Sequence, residues 1–180
     1  VKAIRGQITE VAATAASRRL KTVICGAGYL APACAGAHTL GASYGVNDAG
    51  TDVRDADHSA NLAQLAATDA ALPALLDHPQ AMRLTGRAAL RCASPDYLPL
   101  VGPVPQRDEF RTDYAALRRD ARRHIPLTGQ YWPGLYVSCA HGSRGMAYAP
   151  LGAELLASQI DGEALPLARE LATALHPARF

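Results

Sequence analysis

The sequence predicts an α+β fold in which an antiparallel sheet comes first and a strand–loop–helix unit comes near the end. Residues 2–11, 22–32 and 38–44 have the composition of strands, and the connection at 33–37 is short and contains glycine, as in a hairpin. Consecutive strands joined in this way usually pair antiparallel. Between residues 55 and 76, leucines recur at helical spacing among many alanines, which predicts a helix packed on that sheet. A strand at 135–140 and an apolar helix at 146–160 complete the pattern.

The positions of proline, glycine and charged residues predict the remaining elements. Pro73 predicts a kink or break in the first helix. Residues 83–93 are predicted to form a strand, followed by an irregular, proline-rich connection from 99 to 105. A polar, basic helix is predicted at 110–123, and a short helix at 167–175.

Composition limits the function classes. Apolar residues make up 49% of the 180 residues and charged residues 19%, which favours a packed core over disorder. The net charge of +2 is no general signature of a nucleic-acid binder, and 6% aromatic residues predict no aromatic platform for bases. No apolar run reaches the roughly 18 residues of a membrane span, so no membrane association is expected. Val1 in place of Met, with no signal peptide, suggests a piece of a longer cytoplasmic protein.

The four cysteines form no CxxC pair and have no histidine at zinc spacing. We therefore expect buried, reduced thiols and no metal site.

The glycine-containing loop at 141–145 carries the clearest chemistry. Glycine allows a backbone to approach a ligand closely and to adopt a positive φ, and Gly145 is the candidate position for both. The helix that follows offers unpaired N–H groups at the positive end of its dipole, which suits an anionic group. The candidate cofactor-binding residues are Gly142, Ser143, Arg144, Gly145 and Met146. An ordinary tight turn into a helix remains the alternative.

Three segments together resemble the D-amino-acid and glycine oxidase family of flavoproteins. They are the triplet Arg5-Gly6-Gln7, the run 91–102 with its Arg…Asp…Pro…Gly pattern, and the closing strand, loop and helix at 134–160. The run 91–105, the loop 142–145 and the ending 175–179 are similar to a tRNA-modifying branch of that family.

The resemblance implies an antiparallel substrate-domain sheet with helices at 1–88. It also implies the C-terminal remnant of an FAD-binding α/β domain at 89–180, with a basic helical insertion near 110–123. The implied cofactor is FAD in the full-length protein. The family's GxGxxG turn, which holds the pyrophosphate of the dinucleotide, is missing here. Gly26-Ala27-Gly28 lacks the third glycine and a following helix, so FAD is expected to be absent from this chain by itself.

The implied activity is oxidative removal of the carboxymethyl group from carboxymethylaminomethyl-(2-thio)uridine at the tRNA wobble position. The implied partners are the anticodon arm of tRNA and a preceding methyltransferase domain. One alternative is an oxidase of a free small amine, such as glycine, sarcosine or a D-amino acid. The other is a non-catalytic binding domain, which the missing GxGxxG turn favours.

By the same resemblance, Arg91, Tyr29 and Tyr44 are the substrate-binding candidates, and no catalytic acid or base is assigned. Arginine suits a carboxylate because its planar fork donates two parallel hydrogen bonds. The densest basic stretch supplies the nucleic-acid candidates, which are Arg118, Arg119, Arg122 and Arg123. Each has a plainer alternative: a structural salt bridge for Arg91, a core or rim position for the tyrosines, and a solvated face for the basic residues.

Overall fold

The computed structural model describes residues 1–80 and 84–180. The described chain divides into two compact units, Lys2–Arg91 and Cys92–Phe180, with Val1 assigned to the second. The predicted α+β class is confirmed, since antiparallel strand pairs and α-helices occur together.

The first unit is built on one long strand, β1 (Lys2–Ala12), which pairs with three others. Antiparallel pairing joins β1 to β4 and β5, and β6 also pairs with β1. A small hairpin then extends the sheet beyond β4. The other strands of this sheet are β2 (Ile24–Cys25), β3 (Tyr29–Leu30), β4 (Ala37–Gly41), β5 (Gly45–Val46) and β6 (Thr85–Ala93). The prediction for β6 began at Arg83, which lies outside the described residues.

Two helices cover this sheet and form its core. Helix α1 (Asp55–Thr68) packs on β1 and β4, and the short α2 (Leu72–Leu75) follows after a break. Pro73 lies in the first turn of α2, where its missing N–H costs no helical hydrogen bond, so the predicted break is confirmed. The apolar core of the unit comprises Val11, Leu30, Leu40, Leu65, Leu72 and Leu76.

The prediction of one strand at 22–32 is wrong. The segment folds back on itself as the hairpin of β2 and β3, with the amide of Gly26 donating to the carbonyl of Gly28 at 2.8 Å. Glycines make so tight a reversal possible. The Gly26-Ala27-Gly28 sequence is therefore a hairpin turn. A dinucleotide-binding turn would lead into a helix, whereas here the strand β3 follows.

The second unit contains a strand pair and three helices. Strands β7 (Leu100–Pro105) and β8 (Tyr131–Cys139) pair antiparallel, and β7 contacts α4 (Gly145–Asp161) and α5 (Arg169–Leu175). Helix α3 (Arg107–Asp113) lies in the segment that connects the two strands. Val101, Leu155 and Ala172 are the buried apolar residues of this unit's core.

Two predictions in this unit need correction. The proline-rich connection at 99–105 is largely the strand β7, and the strand predicted at 135–140 begins earlier, at Tyr131, so that β8 contains Pro133-Gly134. The register shifts between Pro103 and Pro105, as in a bulge, and Gly134 has a φ of +68°. Prolines are tolerated at such irregular positions because no regular ladder hydrogen bond is required from them.

The predicted basic helix at 110–123 is much shorter than expected. Helix α3 ends at Asp113, and only a 3₁₀ turn follows at Ala115–Arg118. The side chain of Asp120 accepts a hydrogen bond from the amide of Arg122 at 3.0 Å, which favours a turn over a helix. Residues 119–124 are all exposed, so no packing stabilises further helical turns.

The expectation of buried cysteines is also wrong. All four thiols are free, as predicted, but Cys25, Cys34 and Cys92 are exposed and Cys139 is partly buried. Small side chains on short strands and turns stay accessible where no second layer covers them. In the part of the chain that the structure describes, no helix combines the length and apolar character needed to cross a bilayer.

Candidate functional site

Arg91 and Gly6 form a close pair in the sheet of the first unit. A Cβ atom added to Gly6 would overlap with Nη1 of Arg91, so the guanidinium occupies the space that a side chain at position 6 would fill. The glycine of the Arg-Gly-Gln triplet is thus explained by this close approach, which the sequence alone did not reveal. Arg91 in turn lies near the ring of Tyr44, with Cζ 5.9 Å from the ring centroid.

The guanidinium of Arg91 has donor capacity to spare. Its Nη1 is buried and has no hydrogen-bond partner among the described residues. A buried donor without a partner is costly in a folded protein, and a bound anion removes that cost. The planar fork suits a carboxylate in particular. Of the predicted substrate residues, Arg91 and Tyr44 are brought together by this geometry.

Tyr29 occupies a different place in the same sheet. It lies on β3, half-buried, and pairs in register with Gly41 of β4. The contact that joins Arg91 to Tyr44 does not include Tyr29.

Beside Gly6, a buried polar network fixes β1 to the start of α1. Arg5 is 2% exposed and forms an ion pair with Asp57, and it also donates to Oε1 of Gln7 at 3.0 Å. Gln7 donates to the carbonyl of Arg54 and accepts from its amide, both at 2.8 Å. The network holds the backbone of the triplet in place and therefore positions Gly6 under Arg91. This role of Arg5 and Gln7 was not predicted, because their partners lie about fifty residues away in the sequence.

A second part of this network lies deeper in the same interface. His58 is fully buried, and its Nδ1 lies 2.8 Å from Oγ1 of Thr9. Asn61 donates to both Thr9 and the carbonyl of Gln7 at 3.0 Å. These bonds restrict the packing of α1 on the sheet, although Nε2 of His58 and Oδ1 of Asn61 are buried with no partner among the described residues.

In the second unit, the loop 141–145 connects β8 to α4 as predicted. Gly142 has a φ of +56°, and its amide donates to the carbonyl of Cys92 at 2.9 Å. Gly145 is the first helical residue, and the positive φ considered for it does not occur. A Cβ atom at Gly145 would meet only Cβ of His141, at 3.6 Å, so the protein's own packing does not require glycine.

The start of α4 has the properties of an anion site. Among the described residues, no side chain caps its first turn and none of the first-turn residues is acidic. Its amide groups thus retain the positive partial charge of a helix N-terminus. His141 adds a buried Nδ1 that has no partner among the described residues, while its Nε2 lies 3.1 Å from Oγ of Ser138.

The side chains of the loop are mostly open to solvent. Ser143 and Arg144 are exposed, and Met146 is 95% exposed. Arg144 donates to the hydroxyl of Tyr148 at 3.2 Å, one helical turn further on. The protein's own contacts therefore fix the backbone of the loop and leave these side chains open to solvent.

The predicted nucleic-acid residues form an exposed basic surface on the turn after α3. Arg118, Arg119 and Arg123 line one cavity of about 480 Å³, together with Asp120 and two alanines. Arg122 is exposed beside them. Three of the four arginines are therefore close together, and Arg122 is exposed but does not line this cavity.

An aromatic cluster next to this surface was not anticipated. The rings of Phe110 and Tyr114 are stacked with centroids 5.3 Å apart, and Phe110 also meets Tyr131 edge-on at 5.3 Å. Tyr131 then meets His176 edge-on at 5.5 Å. The expectation of no aromatic platform came from a low overall content, which says nothing about clustering. The spacing of four between positions 110 and 114 was the available signal.

The C-terminal segment is anchored by an arginine. Arg179 donates to both carboxylate oxygens of Asp96 at 2.9 Å and to the carbonyls of Leu98 and Pro99. The guanidinium holds the pKa of the Asp96 carboxyl far below its usual range. This two-point pair accounts for the acidic residue in the run 91–105 and fixes the end of the chain to the segment before β7.

Comparison with known proteins gives one family and a consistent set of relatives. A family model described as DAO, FAD dependent oxidoreductase, matches residues 1–159. The bifunctional protein MnmC of Chromobacterium violaceum, named for tRNA 5-methylaminomethyl-2-thiouridine biosynthesis, is 49% identical over all of this chain and 27% of its own length. The protein of the same name from Pseudomonas syringae pv. tomato is 50% identical over all of this chain and 28% of its own. The chain thus spans about a quarter of the length of these relatives.

Solved structures show the same fold at low identity. Glycine oxidase from Geobacillus kaustophilus superposes with a TM-score of 0.65 at 16% identity, covering 99% of this chain and 39% of that one. Iminodiacetate oxidase from Chelativorans sp. BNC1 gives a TM-score of 0.60 at 18% identity, over 94% and 38% of the two chains. Since the family model accounts for residues 1–159 and the fold agrees with it, this chain belongs to the family of FAD dependent oxidoreductases.

Proposed function

We propose that the chain is part of an FAD-dependent oxidoreductase that removes the carboxymethyl group from carboxymethylaminomethyl-(2-thio)uridine at the tRNA wobble position. The observation that carries this proposal is the buried Nη1 of Arg91, which has no partner among the described residues and suits the carboxylate of an N-substituted glycine. The relatives named for tRNA 5-methylaminomethyl-2-thiouridine biosynthesis support this choice of base.

The reaction breaks the bond between the amine nitrogen and the glycine methylene. A hydride leaves the methylene carbon and a proton leaves the nitrogen, which gives an imine. Water then hydrolyses the imine to glyoxylate and the aminomethyl base. FAD, when bound, would accept the two electrons, and O₂ would reoxidise it with release of H₂O₂.

In this proposal the chain's own residues orient the substrate. Arg91 holds the carboxylate, and the ring of Tyr44 lies beside the guanidinium, 5.9 Å from Cζ to the ring centroid. Tyr29 is a third substrate contact, proposed from the family resemblance. No side chain is required as a base if the amine enters neutral, so we assign no catalytic acid or base.

The residues at the start of α4 fit a flavin. The uncapped first turn and the open glycine loop offer donors and close access to an anionic or polarised ring. We propose Gly142, Ser143, Arg144, Gly145 and Met146 as the residues that contact FAD in the full-length protein. Since this chain lacks the GxGxxG turn, we expect it to hold no stoichiometric FAD by itself.

The proposal also includes a domain assignment and partners. Residues 1–88 would belong to the substrate domain, and residues 89–180 to the C-terminal portion of the FAD-binding domain. A methyltransferase domain would precede the oxidase in the full-length protein. Arg118, Arg119, Arg122 and Arg123 would contact the phosphates of the anticodon arm, and the protein would act in the cytoplasm, where tRNA is modified.

The test is the substitution Arg91→Lys in the full-length protein, with Arg87→Lys as the matched control. Lysine keeps the charge but loses the two-point geometry, so transition-state stabilisation should fall by about 1 to 3 kcal/mol. Arg87 is an exposed arginine on the same strand and should tolerate lysine. The measurement is kcat/KM for modified tRNA, with glyoxylate as the product followed.

Two outcomes would count against the proposal. Kinetics of Arg91→Lys within twofold of the unchanged protein would remove Arg91 from the substrate site. Turnover of free glycine or sarcosine, but not of carboxymethylaminomethyl tRNA, would favour an oxidase of small amines.

A further inference from the structure

The second unit contains a groove of about 660 Å³ whose lining combines aromatic rings with arginines. We call it the aromatic groove, and define it by Phe110, Tyr114, Tyr131, His176, Arg111 and Arg118. Its volume is in the range of small-ligand sites. None of its members belongs to the proposed substrate clamp or to the glycine loop.

The rings in the groove contact one another in sequence. The stacked pair of Phe110 and Tyr114 has an interplanar angle of 22°, and the edge-on contacts to Tyr131 and His176 have angles of 70° and 86°. The phenol of Tyr114 donates to the carbonyl of Leu127 at 2.7 Å, which fixes that ring. Half-buried and mutually supported rings form a firm surface on which a flat ligand can stack.

The charge of the groove is positive. Arg111, Arg118 and Arg179 line it, and none of the described residues that line it is Asp or Glu. Arg179 is already paired with Asp96, but Arg111 and Arg118 are exposed at the rim. Arg118 also lines the adjoining basic cavity, so aromatic and basic surfaces are continuous at this residue.

His176 contributes a neutral hydrogen-bond donor. Burial, together with the nearby guanidinium of Arg179, lowers the pKa of this imidazole, which favours the neutral ring. Nδ1 accepts a hydrogen bond from the amide of Ala178 at 3.1 Å, so the proton of the neutral ring is on Nε2. Burial raises the pKa of Tyr131, and its phenol remains protonated.

We propose that the aromatic groove binds an unpaired base of an RNA strand, stacked on its rings, while Arg111 and Arg118 contact the flanking phosphates. Rings that accept a base face beside arginines that neutralise phosphate are the combination by which proteins bind single-stranded nucleic acid. A protein partner would instead have to place carboxylates opposite the arginines, and the test below distinguishes the two. The identification of the RNA as tRNA rests on the function proposed above. The proposal that the groove binds an unpaired base rests only on the residues that line the groove.

The test uses the full-length protein and a short single-stranded RNA that contains 2-aminopurine, whose fluorescence is quenched by stacking. Tyr131→Leu should weaken binding about fivefold or more and reduce the quenching, because a ring face is removed. Tyr131→Phe keeps the ring and should retain both. Trp132→Leu removes an exposed aromatic residue that does not line the groove and should change neither.

The salt dependence separates stacking from charge. Tyr131→Leu should leave the slope of log Kd against log salt unchanged, whereas Arg111→Gln with Arg118→Gln should flatten it by about 1 for each phosphate that is no longer neutralised. If Tyr131→Leu fails to fold, as judged by its FAD content and thermal midpoint, Thr173→Glu takes its place. Thr173 is an exposed residue of the lining, and a carboxylate there should repel the RNA.

The proposal is overturned if Tyr131→Leu, or Thr173→Glu where it takes its place, binds the RNA within twofold of the unchanged protein and quenches it equally. Displacement of the RNA by an acidic peptide, with binding of that peptide weakened by the same substitutions, would overturn it in favour of a protein-binding surface. If the unchanged protein binds the RNA in the groove but does not oxidise modified tRNA, only the proposed function is contradicted, because RNA binding is measured without turnover.

Discussion

The two units of this chain place their polar residues in opposite ways. Among the described residues, eight polar side chains are buried in the first unit, and they include an arginine, two histidines and two amides. The second unit buries only Ser94 and Ser158 among its described polar residues. Its arginines and tyrosines lie at or near the surface instead.

This difference indicates that polar residues fix the packing of the first unit and bind a ligand in the second. In the first unit, Arg5, Gln7 and Asn61 hold the strand β1 and the helix α1 in one arrangement. Arg91 lies over this strand, and its Nη1 has no hydrogen-bond partner among the described residues. Each buried hydrogen bond that an alternative packing would break is costly to lose, so the bonds of this network disfavour other arrangements of strand and helix. In the second unit, exposed arginines and an uncapped helix start are left for a ligand to satisfy. The first unit should thus lose stability when its polar residues change, and the second should lose binding.

The largest expected effect is on the stability of the first unit. Arg5→Met leaves Asp57 without its buried partner and should destabilise the unit by about 3 to 5 kcal/mol. Hydrogen exchange of the β1 and β4 amides measures this unit alone. The matched control is Arg54→Met, which removes an exposed pair with Asp48 and should have little effect on the same amides. Equal effects of the two substitutions would show that the buried network is dispensable.

A smaller effect is expected on ligand binding by the second unit. In Gly145→Val the added Cβ atom would meet only Cβ of His141 at 3.6 Å, and we expect folding to be nearly unaffected. In the full-length protein it should push the flavin away from the start of α4 and slow flavin reduction by up to about 100-fold. Gly145→Ala should give an intermediate value. FAD content, reduction rate and thermal midpoint are the measurements. A valine variant with normal FAD content and reduction would make this loop an ordinary turn.

The smallest effect on stability and on turnover is expected when the exposed arginines are replaced. Replacing Arg118, Arg119, Arg122 and Arg123 by Gln should weaken tRNA binding by the full-length protein and flatten its salt dependence by about 1 for each phosphate that is no longer neutralised. Turnover of a small carboxymethylamine should hardly change, since such a substrate carries no phosphates for these arginines to bind. Titrations over a range of salt concentrations give the slope, and an unchanged slope would leave these arginines as a solvated surface.

Sequence reasoning succeeded where a pattern is local. The long strand β1, the strand–loop–helix at the end of the chain and the break at Pro73 follow from periodicity and from proline chemistry. Predictions from the sequence were wrong where contacts with residues distant in the sequence determine the local structure. The segment 22–32 contains strand-forming residues throughout, yet pairing with β4 requires it to turn back at Gly26. The basic helix stopped early because nothing packs against residues 119–124.

The candidate site divides in the same way. The motif Arg5-Gly6-Gln7 and the arginine at 91 were visible as letters, and the glycine loop at 141–145 could be placed before α4. Their meaning depended on contacts between residues far apart in the chain. The Gly6–Arg91 approach spans the whole first unit, and the contact between Tyr131 and His176 joins β8 to the segment after α5. Neither spacing nor composition contains such information.

By itself, the sequence determined the α+β class, the order of the elements and the resemblance to a flavoprotein family, because these depend on local periodicity and on short motifs. The tertiary structure alone decided that position 6 must be glycine under the Arg91 guanidinium, and that four scattered rings form one groove. The physical reason is that both features are made by side chains from distant segments, whose distances are fixed only when β-pairing and helix packing bring those segments together.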